Sequence, residues 1–247
     1  MELELAQVGA FLGAAISVGL ASLSAGFSEG YTAGYALNAM GRQPAASGML
    51  TRSMIISMCV TETGPIFCLV VSILLIFGGF LDGGVDYAKA AALLAAGIVV
   101  GFGTMGPNLG AGYNGAEACR GLGRTPSEHL PQTTNMLLGQ AMAQTPSIYA
   151  LVVAMLLLYV VPGVSEDQTV AQQISRAFAY LGAALALGIG TFGAGVGSGW
   201  ATGLTSKMMS RHLEQKSLFM RLTLLTSAIA QTTAIYAMVI AFLLVLM

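Results

Sequence analysis

The sequence predicts an all-α membrane protein with six transmembrane helices, arranged as three tandem helical hairpins that form part of an oligomeric ring. Of its 247 residues, 55% are hydrophobic and only 9% charged, a balance that excludes an ordinary soluble domain. Six apolar runs, at about 8–40, 50–79, 89–121, 131–162, 172–206 and 217–246, each exceed the roughly 20 residues needed to cross hydrocarbon. The chain also repeats itself: Arg42, Arg124 and Arg211, 82 and 87 residues apart, bring three similar stretches into register. So long a period is one hairpin per unit rather than a solenoid repeat, and the hairpins are expected at 1–81, 82–165 and 166–247.

The first helix of each hairpin carries small residues at alternate positions. They are Ser24, Gly26, Ser28 and Gly30, then Gly106, Asn108, Gly110 and Gly112, then Gly193, Gly195, Gly197 and Gly199. Another glycine recurs upstream at Gly19, Gly101 and Gly188. Alternation suits a strand, but an apolar run of this length must satisfy its own backbone, so a helix is expected. On a helix these residues form two interleaved i, i+4 rows, which let neighbouring backbones approach closely. Small residues on several faces predict neighbours on both sides, as in a closed inner ring. The second helices carry larger Leu, Val, Ile and Met side chains and are expected to form an outer layer facing lipid. Pro65 and Pro146 lie just beyond their midpoints, where a proline frees a carbonyl one turn earlier and bends the helix.

Charge sets the expected orientation. The loops after helices one, three and five, with their helix ends, hold Arg42, Arg52, Arg120, Arg124, Lys207, Arg211, Lys216 and Arg221, eight of the ten basic residues. The other side has Lys89 and Arg176 with Glu2, Glu4, Asp82, Asp86, Glu166 and Asp167. The positive-inside rule then makes the basic loops cytoplasmic and places both termini outside. The N-terminal Met-Glu-Leu-Glu-Leu has neither a secretory nor a transit character, so no cleavage is expected. No basic patch points to nucleic acid. Cys59, Cys68 and Cys119 lack metal-ligand spacing and read as small hydrophobes. No phosphate loop or catalytic triad is present, so neither a catalytic site nor a cofactor is expected.

Twenty residues after each aligned arginine stand Glu62, Gln144 and Gln231. Their surroundings agree: Thr61-Glu62-Thr63-Gly64-Pro65-Ile66-Phe67, Ala143-Gln144-Thr145-Pro146-Ser147-Ile148-Tyr149 and Ala230-Gln231-Thr232-Thr233-Ala234-Ile235-Tyr236. A carboxylate at this depth is costly and marks a functional position. Glu29 precedes Arg42 by thirteen residues on the first helix, where the other copies have Ala111 and Ser198. Counting ~1.5 Å per residue from the loop brings Glu29 and Glu62 to similar depth. Two carboxylates in low dielectric cannot both stay ionised and unpaired, so the pair needs a cation, a shared proton or both. Oxygen-rich surroundings, including Thr63, Thr145 and Thr232 after the key position, favour sodium, with protons as the alternative. A secondary transporter or channel built from repeats is a competing reading, although such transporters use inverted repeats and broken helices and these repeats run parallel.

The glycine-rich first helix, the Arg42-Gln43-Pro44 loop and a second helix bearing Glu62 followed by Thr63 together resemble the ring-forming proteolipid, or c-type subunit, of rotary ATPases and ATP synthases. The likeness spans nearly the whole chain. The Arg42-Gln43-Pro44 loop resembles the F-type branch, in which it docks the central stalk; Arg124-Thr125-Pro126 keeps that pattern and Arg211-His212-Leu213 departs from it. Fused hairpins with fewer carboxylates than hairpins resemble the V-type proteolipid instead. The resemblance implies a rotor ring that carries Na+ or H+ on Glu62 past an arginine of the stator a subunit. Gln144 and Gln231 would then be blank positions. One ion site per three hairpins favours ATP-driven pumping. The implied partners are further copies of this chain or other proteolipids of the ring, the stator a subunit, central stalk subunits and lipid, in a bacterial or archaeal cell membrane. In sodium-type members a Gln at the Glu29 position ligates the ion, and a hydroxyl and a backbone carbonyl come from the neighbouring hairpin. That neighbour hydroxyl would be Thr145, or Thr232 of the next chain. Tyr149 and Tyr236 match a tyrosine that steadies the glutamate, where the first copy has Phe67.

Overall fold

The computed structural model describes residues 5–80, 87–159 and 169–247. Glu2, Glu4, Asp82, Asp86, Glu166 and Asp167, on which part of the charge asymmetry rests, lie outside the described residues. The first helices of the hairpins are α1 (Leu5–Arg42), α4 (Tyr87–Arg124) and α6 (Val170–Met209). The second helices are α2 (Ser47–Thr61) continued by α3 (Thr63–Phe77), then α5 (His129–Tyr159) and α7 (Lys216–Leu246). Counting α2 and α3 as one span, six helical spans among the described residues are long and apolar enough to cross a membrane. Each hairpin turns through a single 3-10 turn, Pro44–Ala46, Pro126–Glu128 or Leu213–Gln215. Proline opens the first two, where its fixed φ suits a helix start and its missing N–H leaves no donor unpaired.

The packing follows from the small residues. α1, α4 and α6 stand side by side with α4 in the middle, and the second helices form another layer, with α7 against α6 and α5 at its end. The α2–α3 span packs on both α1 and α4, and α5 on both α4 and α6. Burial reflects this order: 78% of the most apolar stretch of α4 is buried, against 44% for α1 and 39% for α6. The middle helix has neighbours on both sides, and the flanking helices on one.

At these contacts backbone meets backbone. A Cβ on Gly97 would overlap Gly13, one on Gly112 would press on Ser28, and one on Gly110 or Gly199 would overlap the facing glycine backbone. By contrast, space is open beside Gly26 and Gly30 on α1 and beside Gly193 on α6, and Gly197 meets only Ala230 at 3.9 Å. Gly193 and Gly197 occupy the repeat positions of Gly106 and Gly110, which pack on α6; Gly30 occupies that of Gly112, which packs on α1. Each end of the inner row therefore presents an unfilled copy of a face that is filled inside the chain.

Larger side chains gather where the layers meet, away from the polar turns: Val71, Leu75, Leu93, Val99, Val153, Leu157 and Leu187 are fully buried in one cluster. The two prolines act differently. In the first hairpin the helix is interrupted at Glu62, with Pro65 in the first turn of α3, and Pro65 leaves the Thr61 carbonyl without its i+4 donor. Across Pro146, α5 runs uninterrupted. There the carbonyl that loses its i+4 donor is Met142, and Gln231 of α7 supplies the missing hydrogen bond. The bend expected at both prolines is thus an interruption only in the hairpin that carries Glu62.

Gly110→Ala and Gly199→Ala are expected to lower the stability of the isolated chain in detergent by about 1–3 kcal/mol, because rigid backbone faces the new methyl. Gly193→Ala, with open space beside it, should leave the unfolding midpoint unchanged.

Candidate ion-binding site

The middle of the second layer presents the same repeat position in three chemical settings. Glu62 lies between α2 and α3 on the exposed edge of the first hairpin, and Glu29 is half-buried on α1. Their carboxyls come within hydrogen-bonding reach of each other. One Glu29 oxygen is buried with no hydrogen-bond partner. A buried carboxylate oxygen without a donor costs free energy that a cation or a proton would recover. Interrupting the helix at Glu62 also adds the Thr61 carbonyl to the oxygens in its neighbourhood. The Thr63 hydroxyl donates to the Val60 carbonyl at 2.8 Å, leaving its lone pairs unused.

Gln144 sits in a different environment. Its Nε2 donates to Asn108 Oδ1 at 3.1 Å, and Asn108 Nδ2 donates to Ser24 Oγ at 3.0 Å. Ser147 Oγ donates to Gln144 Oε1 at 3.1 Å. All four side chains are buried, so this polar chain stitches α5, α4 and α1 together with every member satisfied. Asn108 occupies the repeat position of Gly26 and Gly195. Neither Glu62 nor Gln231, therefore, has in its own hairpin an amide at the position from which Asn108 meets Gln144. Gly64 belongs to the same arrangement, since a Cβ there would press on Asn108 and Thr104.

Gln231, the third copy, reaches back to the preceding hairpin and donates to the proline-freed Met142 carbonyl. The threonines after the key position bond within their own helices, Thr145 to Ala141 at 3.0 Å and Thr232 to Ile229 at 2.8 Å. The structure brings Glu29 and Glu62 together but places Thr145 on the next second-layer helix and Thr232 on the last. Arg42, Gln43, Pro44 and Arg124 are exposed or partly exposed at the turn end of the bundle. Lys216 and Glu128, at 2.8 Å, tie the second and third turns together there.

Sequence reasoning grouped Asn108 with the small residues and missed its role. The available signal was that it is the one amide in rows otherwise made of Gly and Ser. The Gln231 to Met142 bond had a signal too, because a proline four residues ahead marks an unpaired carbonyl.

The fold and site define a multi-pass membrane protein of glycine-packed helical hairpins with a carboxylate pair at mid-span. Residues 12–75, 94–157 and 181–244 each match the ATP synthase C-subunit family, and the chain belongs to that family in three tandem copies. The ATP synthase c-subunit of Petrotoga mobilis is 40% identical over 85 residues, covering 34% of this chain and 86% of that protein. The second ATP synthase c-subunit of Cereibacter sphaeroides is 39% identical over 80 residues, 32% of this chain and 96% of its own length. The ATP synthase c-subunit of Thermotoga maritima is 41% identical over 80 residues, 31% of this chain and 94% of its own length.

Gln144→Leu removes the donor to Asn108 and should destabilise the chain by about 1–3 kcal/mol in mixed-micelle unfolding, since it leaves a buried amide oxygen unpaired. Thr145→Val, which loses a bond within its own helix only, should stay within about 0.5 kcal/mol of the parent.

Proposed function

We propose that this chain is a non-catalytic rotor-ring subunit of a rotary ATP synthase or ATPase, carrying Na+ across the membrane on Glu62 and Glu29. The observation that carries the reading is the Glu29–Glu62 carboxyl contact with its donorless buried oxygen, on the hairpin edge where another chain would pack. Two carboxylates with one sodium ion and one shared proton are electrically neutral, the condition for facing hydrocarbon without a heavy cost. An arginine of a stator a subunit would compete for Glu62 and release the ion. Arg42, Gln43, Pro44 and Arg124 face the central stalk. The basic turns are cytoplasmic.

The hydroxyl that completes the site is Thr232 of the preceding chain rather than Thr145. Gln231 supports this choice, because its side chain reaches backward onto the second helix of the preceding hairpin. Glu62 holds the same repeat position, so its backward neighbour is the α7 of another copy, in which Ile229 and Thr232 stand where Met142 and Thr145 stand in α5. Thr145 stands on the helix onto which the third hairpin's key residue reaches, and that residue is the uncharged Gln231. Every ring built this way has one ion site per three hairpins. Each ATP then drives fewer ions, and each ion can be moved against a larger gradient, at about 2.3 kcal/mol per charge for every 100 mV. That ratio favours ATP-driven pumping.

Glu62→Gln is expected to abolish coupled transport while the ring still assembles; full transport in that variant would sink the rotor reading. Dicyclohexylcarbodiimide should label Glu62 of the purified ring in mass spectra, with sodium suppressing the reaction. Labelling that follows pH alone would make the carried ion a proton. Thr232→Val should weaken sodium protection roughly tenfold, the order expected for one lost polar ligand, and Thr145→Val should leave it unaltered.

A further inference from the structure

Pro65 and Pro146 free different carbonyls, and the difference sets the two uncharged repeat positions apart. Behind Gln231, on the second helix of the preceding hairpin, stands Met142, whose carbonyl has lost its i+4 donor to Pro146. Gln231 is only 6% exposed, and its Nε2 supplies the missing hydrogen bond. The repeat counterpart of Met142 behind Gln144 is Val60. Pro65 stands one residue later in its repeat than Pro146 does in the next, so the carbonyl it frees is that of Thr61 and not that of Val60. The Val60 carbonyl already accepts from the Thr63 hydroxyl at 2.8 Å, and Gln144 turns instead to Asn108 of its own hairpin.

The Gln231 amide therefore lies in a setting of neutral oxygens that Gln144 lacks. Beyond the Met142 carbonyl, Thr145 follows three residues along α5, and its hydroxyl donates within its own helix and keeps its lone pairs. Ser198 of α6, buried and donating to Gly195 at 3.1 Å, holds the repeat position of Glu29. The two helices meet at this height, since a Cβ on Gly197 would lie 3.9 Å from Ala230. Carbonyl and hydroxyl oxygens are the ligands a hard cation prefers, and a carbonyl left without a donor in low dielectric is costly. An amide N–H answers that cost with a partial positive charge fixed to the chain. Amide and sodium carboxylate are alike in being electrically neutral.

We propose that the junction of α5 and α7 is a cation seat plugged by Gln231, whose amide N–H stands where a small monovalent cation such as Na+ would bind. The identity of the cation rests on the reading of Glu62 as the ion carrier. The plug holds the second and third hairpins together at all times, whereas the junction behind Glu62 closes only on a bound ion. The test compares Gln231→Glu and Gln144→Glu in the purified ring, with dicyclohexylcarbodiimide labelling assigned by position in mass spectra. In excess sodium, labelling at position 231 of the first variant should slow about tenfold, as it should at Glu62. Labelling at position 144 of the second should follow pH alone, because the Val60 carbonyl behind it is taken. Dependence on pH alone at position 231 as well would overturn the proposal. Protection at position 231 but not at Glu62 of the parent ring would strike the carrier reading and uphold the seat. Unfolding of the full chain in sodium-free mixed micelles supplies the second measurement. Gln231→Leu should lower the folded-to-unfolded ratio about tenfold in the parent chain. With Pro146→Ala added, the helix supplies its own N–H to Met142, and the loss should shrink below about threefold. An equal loss in both backgrounds would overturn the plug whatever the labelling shows.

Discussion

The structure depends on one constraint, the backbone-to-backbone approach of α1, α4 and α6. Where Gly97 lies on Gly13 and Gly110 on Gly199, no side chain separates the helices, so each is held at a fixed height against the next. In lipid no hydrophobic drive pulls helices together, and close van der Waals contact takes its place. The shared height brings Glu62, Gln144 and Gln231 to equivalent places in the repeat and leaves grooves in which the α2–α3 span and α5 sit. Replacing these glycines would change the spacing of the row before it changed any chemistry.

Within that frame the difference between a carboxylate and an amide decides what each hairpin does. An amide can both donate and accept, so Gln144 joins a closed polar chain and Gln231 satisfies a carbonyl that Pro146 leaves open. An ionised carboxylate only accepts. The Glu29–Glu62 pair therefore retains an oxygen with no donor, and the same low dielectric that strengthens the Gln144 stitch makes that oxygen costly until something positive meets it. The fold gives the hairpins equal places, and the side chains make them unequal.

Much of this was legible in the sequence. Six apolar runs and their alignment on Arg42, Arg124 and Arg211 gave the hairpins, because length and periodicity report spans directly. The similar depth of Glu29 and Glu62 was readable because helical rise is constant. Rotation about a helix axis is not readable in the same way, which is why the choice between Thr145 and Thr232 stayed open. Contacts that cross repeats were also hidden. Asn108 bonds to Gln144 in its own hairpin and Ser24 in the previous one, and Gln231 bonds to Met142 of the previous hairpin. Comparing the repeats with one another treats them as interchangeable, whereas these bonds exist because neighbours differ.

Joining three hairpins in one polypeptide also changes how they can evolve. When a single-hairpin gene supplies every position, a substitution at one place appears at all of them, and the carboxylate cannot be lost anywhere without being lost everywhere. Here Gly26, Asn108 and Gly195 are encoded separately, as are Glu62, Gln144 and Gln231. The middle hairpin could acquire Asn108 and its bond to Gln144 while the first kept glycine at that position and its Glu29–Glu62 pair. Covalent fusion thus gives natural selection three independent handles on what would otherwise be one repeated part.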